Sequence, residues 1–416
     1  MNIAIIGTGI SGLTSAYVLS KKHNVTVFEK NDYVGGHTHT HEIEYQNKIW
    51  FVDSGFIVYN ERTYPNFIKL LDQLGVESQV TRMGFSVKSE RYDLEYAGHS
   101  LNGLFAQRRN IIRPSFLKML RNMARFNSES VRDLDTIDLS TTLGEYLTMN
   151  NYSKEFIQYY IIPIGAAIWS TIPEKMMEFP AAFFIRFFDN HGLLQVTNRP
   201  KWWVIKGGSK TYVDAMISGF KDNILLSSPV KKVKRANNKI NISYGKNSEN
   251  NSSFDSVIFA THSDESLALL EDATVEEKDI LGKIKYQKND AILHYDTSIL
   301  PSRRNAWSSW NYQLDKNRSD AVALTYNMNI LQTLNCNRTF CVTLNSKSLV
   351  DEDKIIKELK YTHPLFTNKA LDAQKRKEEI NGKNNTYYCG AYWYNGFHED
   401  GVVSALDVCS MFGESL

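Results

Sequence analysis

The sequence predicts an α/β protein, in which a doubly wound parallel sheet is joined to a second unit of mixed sheet and helices. Three observations predict this class. The chain has 416 residues, which is enough for two domains. Residues 2–6 read as a buried strand that leads straight into a glycine-rich turn and a helix. Farther along, long helical patterns and alternating strands are typical of a mixed antiparallel sheet with helices on one side.

The predicted doubly wound unit is discontinuous in the chain. Its opening strand, turn and helix are followed by a second strand at 25–29, and residues 256–260 read as another buried strand. We expect this unit to comprise residues 1–75, 201–289 and 386–416. The second unit then comprises residues 76–200 and 290–385. Its predicted strands are residues 291–295, 308–312, 321–326 and 339–344.

Composition excludes several classes of protein. With 42% hydrophobic and 23% charged residues, the chain is neither disordered nor fibrous, and a net charge of +2 gives no reason to expect a nucleic-acid partner. The four cysteines have no metal-binding spacing and suit a reducing compartment. The first strand leaves no room for a secretory signal, so we expect a cytoplasmic protein. The uncharged stretch 156–173 contains Pro163, and we interpret it as a buried, broken helix rather than a membrane span.

The opening turn matches a dinucleotide-binding fingerprint. Gly7-Thr8-Gly9-Ile10-Ser11-Gly12 fits the pattern G-x-G-x-x-G between a strand and a helix, and Glu29 ends the next strand. Gly7 permits the tight turn, Gly9 lets a pyrophosphate approach the backbone, and Gly12 lets the helix pack closely on the strand. The helix amino terminus attracts phosphates, and Glu29 would bind ribose hydroxyls while repelling a 2′-phosphate. This context predicts a Rossmann-like domain.

The residues after this unit indicate which dinucleotide is bound. Lys30 and the pair Gly35-Gly36, followed by His37, resemble the FAD-binding flavoproteins of the amine oxidase and phytoene desaturase superfamily. The segment 388–402 resembles the closing FAD motif of that superfamily, in which a strand-end glycine, a loop and a final helix cover the flavin.

This resemblance implies non-covalent FAD, because Cys389 precedes Gly390 on the incoming strand, where we expect it to be buried. It also implies that Val230 lies near the adenine and that Asp53-Ser54-Gly55 forms part of the wall near the isoalloxazine. The implied cofactor-binding residues are Gly7, Gly9, Ser11, Gly12, Glu29, Lys30, Gly35, Gly36, His37, Asp53, Gly55, Val230, Gly390, Phe397 and Gly401.

A narrower resemblance suggests the reaction. Segments 163–170, 190–194, 206–213 and 396–401 look like the bacterial NAD/FAD-binding proteins encoded near cyclopropane-fatty-acid-synthase-like methyltransferases. That resemblance implies an FAD-dependent desaturase that dehydrogenates a fatty acyl chain, methylated or not, within a membrane lipid. Oxygen or another acceptor would reoxidise the flavin. No second G-x-G-x-x-G stands between a strand and a helix to hold a nicotinamide dinucleotide.

Two further reactions stay open: that of an amine oxidase or related small-molecule oxidase, and that of a redox-neutral isomerase or non-catalytic flavin protein. Amine oxidases commonly frame the amine between two tyrosines, and the residue that matches one of them here is Phe397, which favours an apolar substrate.

Flavin N5 takes the hydride, so the protein must orient the substrate, exclude water and accept a proton. The implied catalytic candidates lie in the closing motif: His398 first, then Tyr392, Tyr394 and Glu399. The alternative is that His398 and Glu399 only bind the cofactor or cap the last helix.

Two patterns allow a binding function or a structural one. His37, His39 and His41 would share one strand face, as metal ligands can, but His37 follows the phosphate-binding glycines and we expect no metal. Residues 106–126 carry several arginines and lysines among apolar residues and no acidic residue, a pattern typical either of a helix on an anionic membrane or of an ordinary amphipathic helix. The phenylalanines of 179–188 could line an acyl tunnel or fill the core. We expect an apolar acyl-lipid substrate and peripheral contact with the inner face of the membrane; the oligomeric state is open.

Overall fold

The computed structural model describes residues 1–169, 173–195, 199–314 and 322–416. Ser170 of the segment 163–170 and Ala321 of the predicted strand 321–326 lie outside the described residues. The strands are β1 Asn2–Ile6, β2 Asn24–Phe28, β3 Thr40–Tyr45, β4 Lys48–Asp53, β5 Val58–Asn60, β6 Ser78–Thr81, β7 Phe85–Ser89, β8 Leu94–Ala97, β9 Trp202–Ile205, β10 Ile224–Leu225, β11 Val230–Ala236, β12 Lys239–Tyr244, β13 Asn250–Phe254, β14 Ser256–Phe259, β15 Lys285–His294, β16 Trp310–Leu314, β17 Val322–Asn327, β18 Cys341–Leu344, β19 Ile355–Leu365 and β20 Thr386–Tyr388. The helices are α1 Ile10–Leu19, α2 Pro65–Leu74, α3 Leu101–Leu104, α4 Pro114–Asp133, α5 Leu143–Met149, α6 Lys154–Phe156, α7 Ile162–Trp169, α8 Pro173–Met177, α9 Ala181–Asn190, α10 Lys210–Ile217, α11 Ser263–Leu269, α12 Val275–Lys283, α13 Met328–Leu331, α14 Asn368–Lys375 and α15 His398–Met411.

A five-stranded parallel sheet confirms the α/β class. Its order is β10-β2-β1-β14-β20, with β1 at the centre. Ile5 pairs in register with Val27 on one side and with Ile258 on the other. The apolar run in β1 is buried because strands flank it on both edges and α1, α10 and α15 contribute to the core on one face. This strand order, with helices packed against the sheet, is typical of a doubly wound fold.

A second sheet has seven strands, in the order β19-β15-β18-β17-β16-β7-β8. Only the β16–β7 pair is parallel among these, so the sheet is mixed, as predicted. Strand β16 begins two residues later than the predicted 308–312, because Ser308 N donates to Asn311 Oδ1 and closes a turn before the strand. Whether these two sheets define domains with the expected boundaries stays a prediction.

An aromatic core lies beneath this sheet. Phe116 and Phe126 of α4 pack with Phe156, Phe184 and Phe188 from the helices that follow. The stretch around Pro163 is α6, a π-helical turn at Ile157–Ile161, and α7, and most of its side chains are buried. In the part of the chain that the structure describes, no helix has the length and apolar character needed to cross a membrane.

Candidate functional site

A cavity of about 960 Å³ opens at the carboxyl ends of the parallel strands. Gly9 follows β1, Ala260 follows β14 and Gly390 follows β20, and all three line the cavity. The carboxyl edge of an open α/β sheet is where ligands bind in this architecture. The opposite walls come from the mixed sheet and from the helices of the aromatic core, including Trp310 and Phe187.

The fingerprint turn has the form of a phosphate cradle. Gly7 has a φ of +104°, and a Cβ at Gly12 would lie 2.0 Å from Gly7 O, so both positions require glycine. A Cβ at Gly9 would meet no atom within 4 Å, because Gly9 faces open space in the cavity. Helix α1 has no side-chain cap at its amino terminus, and its first N–H groups are therefore available to an anion.

Both ends of the chain meet at this turn. Gly35 N donates to Thr8 O at 3.1 Å, which holds the glycine pair beside the fingerprint. From the other end, Ser11 Oγ donates to Gly401 O at 2.9 Å, and a Cβ at Gly401 would lie 2.6 Å from Ile10 Cγ2. Gly36, which packs against Gly9, and Gly401 support the cradle from behind rather than lining the cavity.

Three buried polar atoms on the described cavity wall have no hydrogen-bond partner. They are His37 Nε2, Trp169 Nε1 and the Tyr392 hydroxyl. Burial, together with the nearby His363 and His262, lowers the pKa of His37 well below its ordinary value, so its imidazole is neutral. A dinucleotide whose phosphates occupy the space beside Gly9 and whose polar ring edges reach these atoms fits the site. Among the predicted cofactor residues, Gly9, Ser11, Gly35, His37, Gly55, Gly390 and Phe397 line the cavity.

The residues predicted on the adenosine side lie outside the cavity wall. One Glu29 oxygen accepts from Thr8 N and the Thr8 hydroxyl, and the other accepts from Asn31 N and Nδ2 at 2.9 and 2.8 Å. Lys30 Nζ lies 2.8 Å from Glu265 Oε1 at the surface. Val230 is half-buried at the start of β11 and packs with the core next to β2. Ser228 N donates to Glu29 O at 2.8 Å, which brings the segment before Val230 next to Glu29, and none of the three residues lines the cavity.

Asp53 lies behind the cavity wall that its neighbours Ser54 and Gly55 line. Its carboxylate accepts from Ser209 N and Oγ at 3.0 Å each, and from Gln332 Nε2 at 2.9 Å. The Thr40 hydroxyl also donates to it. Burial raises the pKa of Asp53 to about 6. Because these contacts occupy the side chain, Asp53 joins β4, α10 and the segment after α13, and does not form a cavity wall.

His398 is close to the cavity, but its ring is already engaged. It stacks on Phe56 with ring centroids 3.6 Å apart, and its Nε2 is hydrogen-bonded to the Tyr212 hydroxyl at 2.8 Å. That hydroxyl is in turn 2.5 Å from Thr38 Oγ1. Burial lowers the pKa of His398 to about 3, which keeps it neutral. The geometry makes His398 a residue that orders the floor of the site.

Two other catalytic candidates are not brought to the cavity. Glu399 accepts from Asn66 N and Phe67 N at 2.9 and 2.8 Å, and so caps the amino terminus of α2. The Tyr394 hydroxyl is bonded to Asp407 and, at 3.1 Å, to Lys377 Nζ. These side chains therefore point towards neighbouring helices, and a catalytic role for either residue stays a prediction. Cys389 is buried beside Ser15, behind the cavity wall, and burial raises its pKa to about 12.

The three histidines of the predicted strand face have different surroundings in the structure. His37 faces the cavity and stacks with Tyr361, whereas the His39 ring stacks with Tyr33 and His41 is bonded to Ser54 at 2.8 Å. Within the described ranges, no group of three His, Cys, Asp or Glu side chains is arranged to hold a metal ion.

Several cavity residues were not found from the sequence. Trp202, Trp307 and Trp310 come from separated loops and strands, and so do the only Arg and Lys residues of the described lining. These cations are Arg82, Arg199 and Lys201. No motif marks them, since they meet only when β6 and β9 pair.

A doubly wound sheet with a phosphate cradle, closed by the chain terminus and opening into an apolar cavity, defines a dinucleotide-dependent redox enzyme. The chain belongs to the family described as flavin containing amine oxidoreductase, whose model matches residues 10–303, more than half of the chain. It is therefore an oxidoreductase, and FAD is its cofactor. The link to methyltransferase neighbours is not part of this finding.

Solved structures share the fold over nearly the whole chain. The CLA-producing fatty acid isomerase from P. acnes is 16% identical, with a TM-score of 0.70 and coverage of 99% of this chain and 98% of that one. Cyclohexylamine oxidase from Brevibacterium oxydans IH-35A is 14% identical, with a TM-score of 0.68 and 99% coverage of both chains. Wild-type putrescine oxidase bound to putrescine is 13% identical, with a TM-score of 0.69 and 99% coverage of both. At these identities the likeness shows the fold alone.

Proposed function

We propose that this flavoenzyme dehydrogenates a fatty acyl chain. One observation carries the proposal: beside the cofactor cradle the cavity is walled by aromatic and aliphatic side chains, and no Asp or Glu of the described residues lines it. An acyl chain gains free energy by leaving water for such a wall. A protonated amine would find no carboxylate on this wall and would meet Arg82, Arg199 and Lys201 instead. Asp189, Glu399 and Asp400 line a separate pocket that adjoins the cavity at Asn395 and Phe397.

The reaction removes a hydride from one carbon and a proton from its neighbour, and a carbon–carbon double bond forms. FAD, when bound, supplies the acceptor for the hydride and so for both electrons, which pass later to oxygen or another oxidant. The proton requires a base on the cavity wall. His37 is the neutral imidazole on the described wall whose buried Nε2 has no partner, and we assign it this role in place of His398.

The aromatic residues position the chain. Phe187 stacks with Phe397 at a centroid distance of 4.8 Å, and Trp169 packs on Phe187 at the same distance. All three line the cavity, and Phe187 of α9 belongs to both the core and the wall, whereas Phe184 and Phe188 belong to the core. The absence of a hydroxyl at Phe397 keeps this region apolar. The proposal that the acyl chain is methylated or esterified rests only on the resemblance of segments such as 206–213 to the bacterial flavoproteins named above.

A redox-neutral isomerase of an acyl double bond is the second candidate. The same apolar cavity would suit it, and one structure of similar fold is a fatty acid isomerase. The two reactions differ in their electron balance, because an isomerase leaves the flavin oxidised after each turnover.

Contact with an anionic membrane would give access to lipid-borne chains. Phe116 and Phe126 of the basic segment face the core, which agrees with an ordinary amphipathic helix for that face. Three other apolar residues are exposed: Ile111 at 52%, Ile112 at 80% and Leu117 at 43%. Arg108, Arg109, Lys118 and Arg121 of the same segment are also exposed, and Arg109 and Lys118 are ion-paired with Asp93 and Glu155. Exposed apolar side chains interspersed with cations are complementary to a bilayer of anionic lipids.

Anaerobic mixing tests the function. FAD-loaded enzyme is mixed with extracted bacterial phospholipids, flavin absorbance is followed, and the fatty acids are then analysed. We expect bleaching together with a new double bond. Bleaching by putrescine or cyclohexylamine but not by lipid would select an amine oxidase. A moved double bond without bleaching would select the isomerase.

A further inference from the structure

Two cations lie at the same end of the β6–β9 strand pair and line the cavity. Strands β6 and β9 are antiparallel, and their last pair at this end is Thr81↔Trp202. The next residue on each strand is Arg82 and Lys201, and both are exposed and line the cavity. Like charges in cross-strand positions destabilise a strand pair. An anion bound between them would remove that repulsion.

A third cation and the surrounding groups define this place further. Arg199 lines the cavity two residues before Lys201, and its Nε donates to Gln195 O at 2.7 Å. Throughout the described residues, none of the three cations forms an ion pair with a carboxylate. The Glu61 carboxylate lies beside the same strand end, but it accepts from Lys201 N at 2.9 Å and from Trp203 Nε1 at 3.1 Å. Glu61 therefore fixes the strand end. The hydrogen bond from Lys201 N, with smaller contributions from the charges of Lys201 and Arg62, lowers the pKa of its carboxyl.

Just inside the cations the wall becomes apolar. Met83 and Trp202, the neighbours of Arg82 and Lys201 in the chain, line the cavity, and Trp169 and Phe187 lie on its helical side. A ligand that satisfies both regions has one anionic end and a long hydrocarbon tail.

We propose that Arg82 and Lys201, with Arg199, bind the single anionic headgroup of an acyl substrate, a carboxylate or a phosphate, while its chain enters the cavity. The proposal rests on the proposed function for the identity of the tail. A guanidinium can hold either anion through two parallel hydrogen bonds, and the lysine adds a point charge. The headgroup would then fix how far along the chain the reacting carbon lies from the mouth.

Binding to the oxidised, FAD-loaded enzyme tests this without turnover. Oleate, oleoyl-lysophosphatidylglycerol, oleyl alcohol and oleylamine share one chain and differ in headgroup. Each is titrated below its micelle concentration, and tryptophan fluorescence reports binding. We expect one or both anionic ligands to bind at least about tenfold more tightly than the alcohol, as one charged hydrogen-bonded contact provides. The anion that binds more tightly identifies the source, free acid or phospholipid.

Variants locate the effect. Arg82→Gln with Lys201→Gln should weaken binding of the anionic ligand about tenfold and leave oleyl alcohol within about twofold. Lys206→Gln is the matched control, because Lys206 follows the other end of β9 and pairs with Glu77 at 2.8 Å. Equal binding of anion and alcohol, or an unchanged preference in the double variant, would overturn the proposal. Headgroup preference without flavin reduction would instead count against the proposed function, and reduction without preference would leave that function standing.

Discussion

At the scale of single residues, the site depends on glycines with different tasks. Gly12 is fixed by the fold, since any Cβ would collide with Gly7 O, whereas Gly9 has ordinary extended dihedral angles and empty space in front of it. A side chain at Gly9 therefore leaves the fold intact and fills only the phosphate position. For this reason, experiment can distinguish the role of Gly12 in folding from the role of Gly9 in phosphate binding.

We expect Gly9→Leu to fold and to lose FAD. The apoprotein should unfold at nearly the wild-type temperature, and FAD affinity should fall at least about a hundredfold, because the leucine occupies the place of the pyrophosphate. Gly12→Leu is the contrasting variant, and it should lower the unfolding temperature of the apoprotein itself. Flavin content after purification and calorimetry of the apo forms provide the measurements. Normal FAD occupancy in Gly9→Leu would contradict the cradle.

Asp53 gives a pH-dependent contribution to stability. Its folded-state pKa is raised to about 6 by burial, above the usual value of about 3.9 for an unfolded chain. A raised pKa means that its contribution is fully present below about pH 4 and is lost as the pH rises through about 6. As the pH rises from about 4 to about 6, the unfolding temperature of the wild type should therefore fall relative to that of Asp53→Asn. The free energy of unfolding that the wild type loses over this range is about 3 kcal/mol. Thermal unfolding of both proteins at several pH values measures it, and a constant difference would contradict the assignment.

At the scale of elements, the start of α15 shows what sequence reasoning could reach and what it could not. The closing motif and its glycine were predictable, because a strand, a turn and a helix are local patterns. The roles of its polar side chains were not, because their partners are distant in sequence: Glu399 bonds Phe67, 332 residues earlier, and His398 bonds Tyr212, 186 residues earlier. In the same way, the cations at the mouth follow from the pairing of β6 with β9, which no local pattern specifies.

The cap formed by Glu399 can be distinguished from catalysis. Glu399→Ala should destabilise the protein by about 1–2 kcal/mol, because two N–H groups at the start of α2 lose their acceptor. The rate of flavin reduction per bound FAD should stay within about twofold of wild type, as expected for a group outside the cavity. Denaturant unfolding and stopped-flow absorbance measure the two effects. A loss of reduction rate far beyond the loss of folded protein would restore Glu399 as a catalytic candidate.

The exposed residues before and within α4 make a separate prediction. Replacing Ile111 with Ser and Ile112 with Asp should reduce binding to phosphatidylglycerol vesicles about tenfold or more, since two apolar side chains are removed and a like charge is added. Binding of the wild type should also weaken at high salt. Val275→Asp on α12 is the control, because Val275 is 76% exposed but lies on another helix without an arginine cluster. Cosedimentation measures binding, and equal binding by all variants would exclude this surface.

At the scale of the whole molecule, the fold class was predictable because β1, β2 and β14 of the parallel sheet have buried apolar patterns and the fingerprint defines its centre. The shape of the substrate cavity was not predictable from such patterns. Its wall combines β7, α7, α9 and the loop before β16, each of which also reads as ordinary core. Aromatic content indicated a large apolar volume, but only tertiary packing decides which rings face the core and which face the cavity.

The meeting of the two chain ends at the cofactor cradle leads to a prediction about the holoenzyme. Ser11 and Gly401 are directly bonded, and Gly390 N donates to Ser404 Oγ at 2.8 Å, so a ligand that orders one segment should order the other. FAD binds only the folded state and at a hundred times its dissociation constant stabilises that state by about 2.7 kcal/mol. Hydrogen exchange should therefore slow together at residues 7–12, 35–37 and 390–401 on addition of FAD to the apoprotein. Residues 239–244 of β12, which lie outside the cavity lining, should respond only through global stability. Protection confined to the amino-terminal segment would show that the chain terminus does not close over the cofactor.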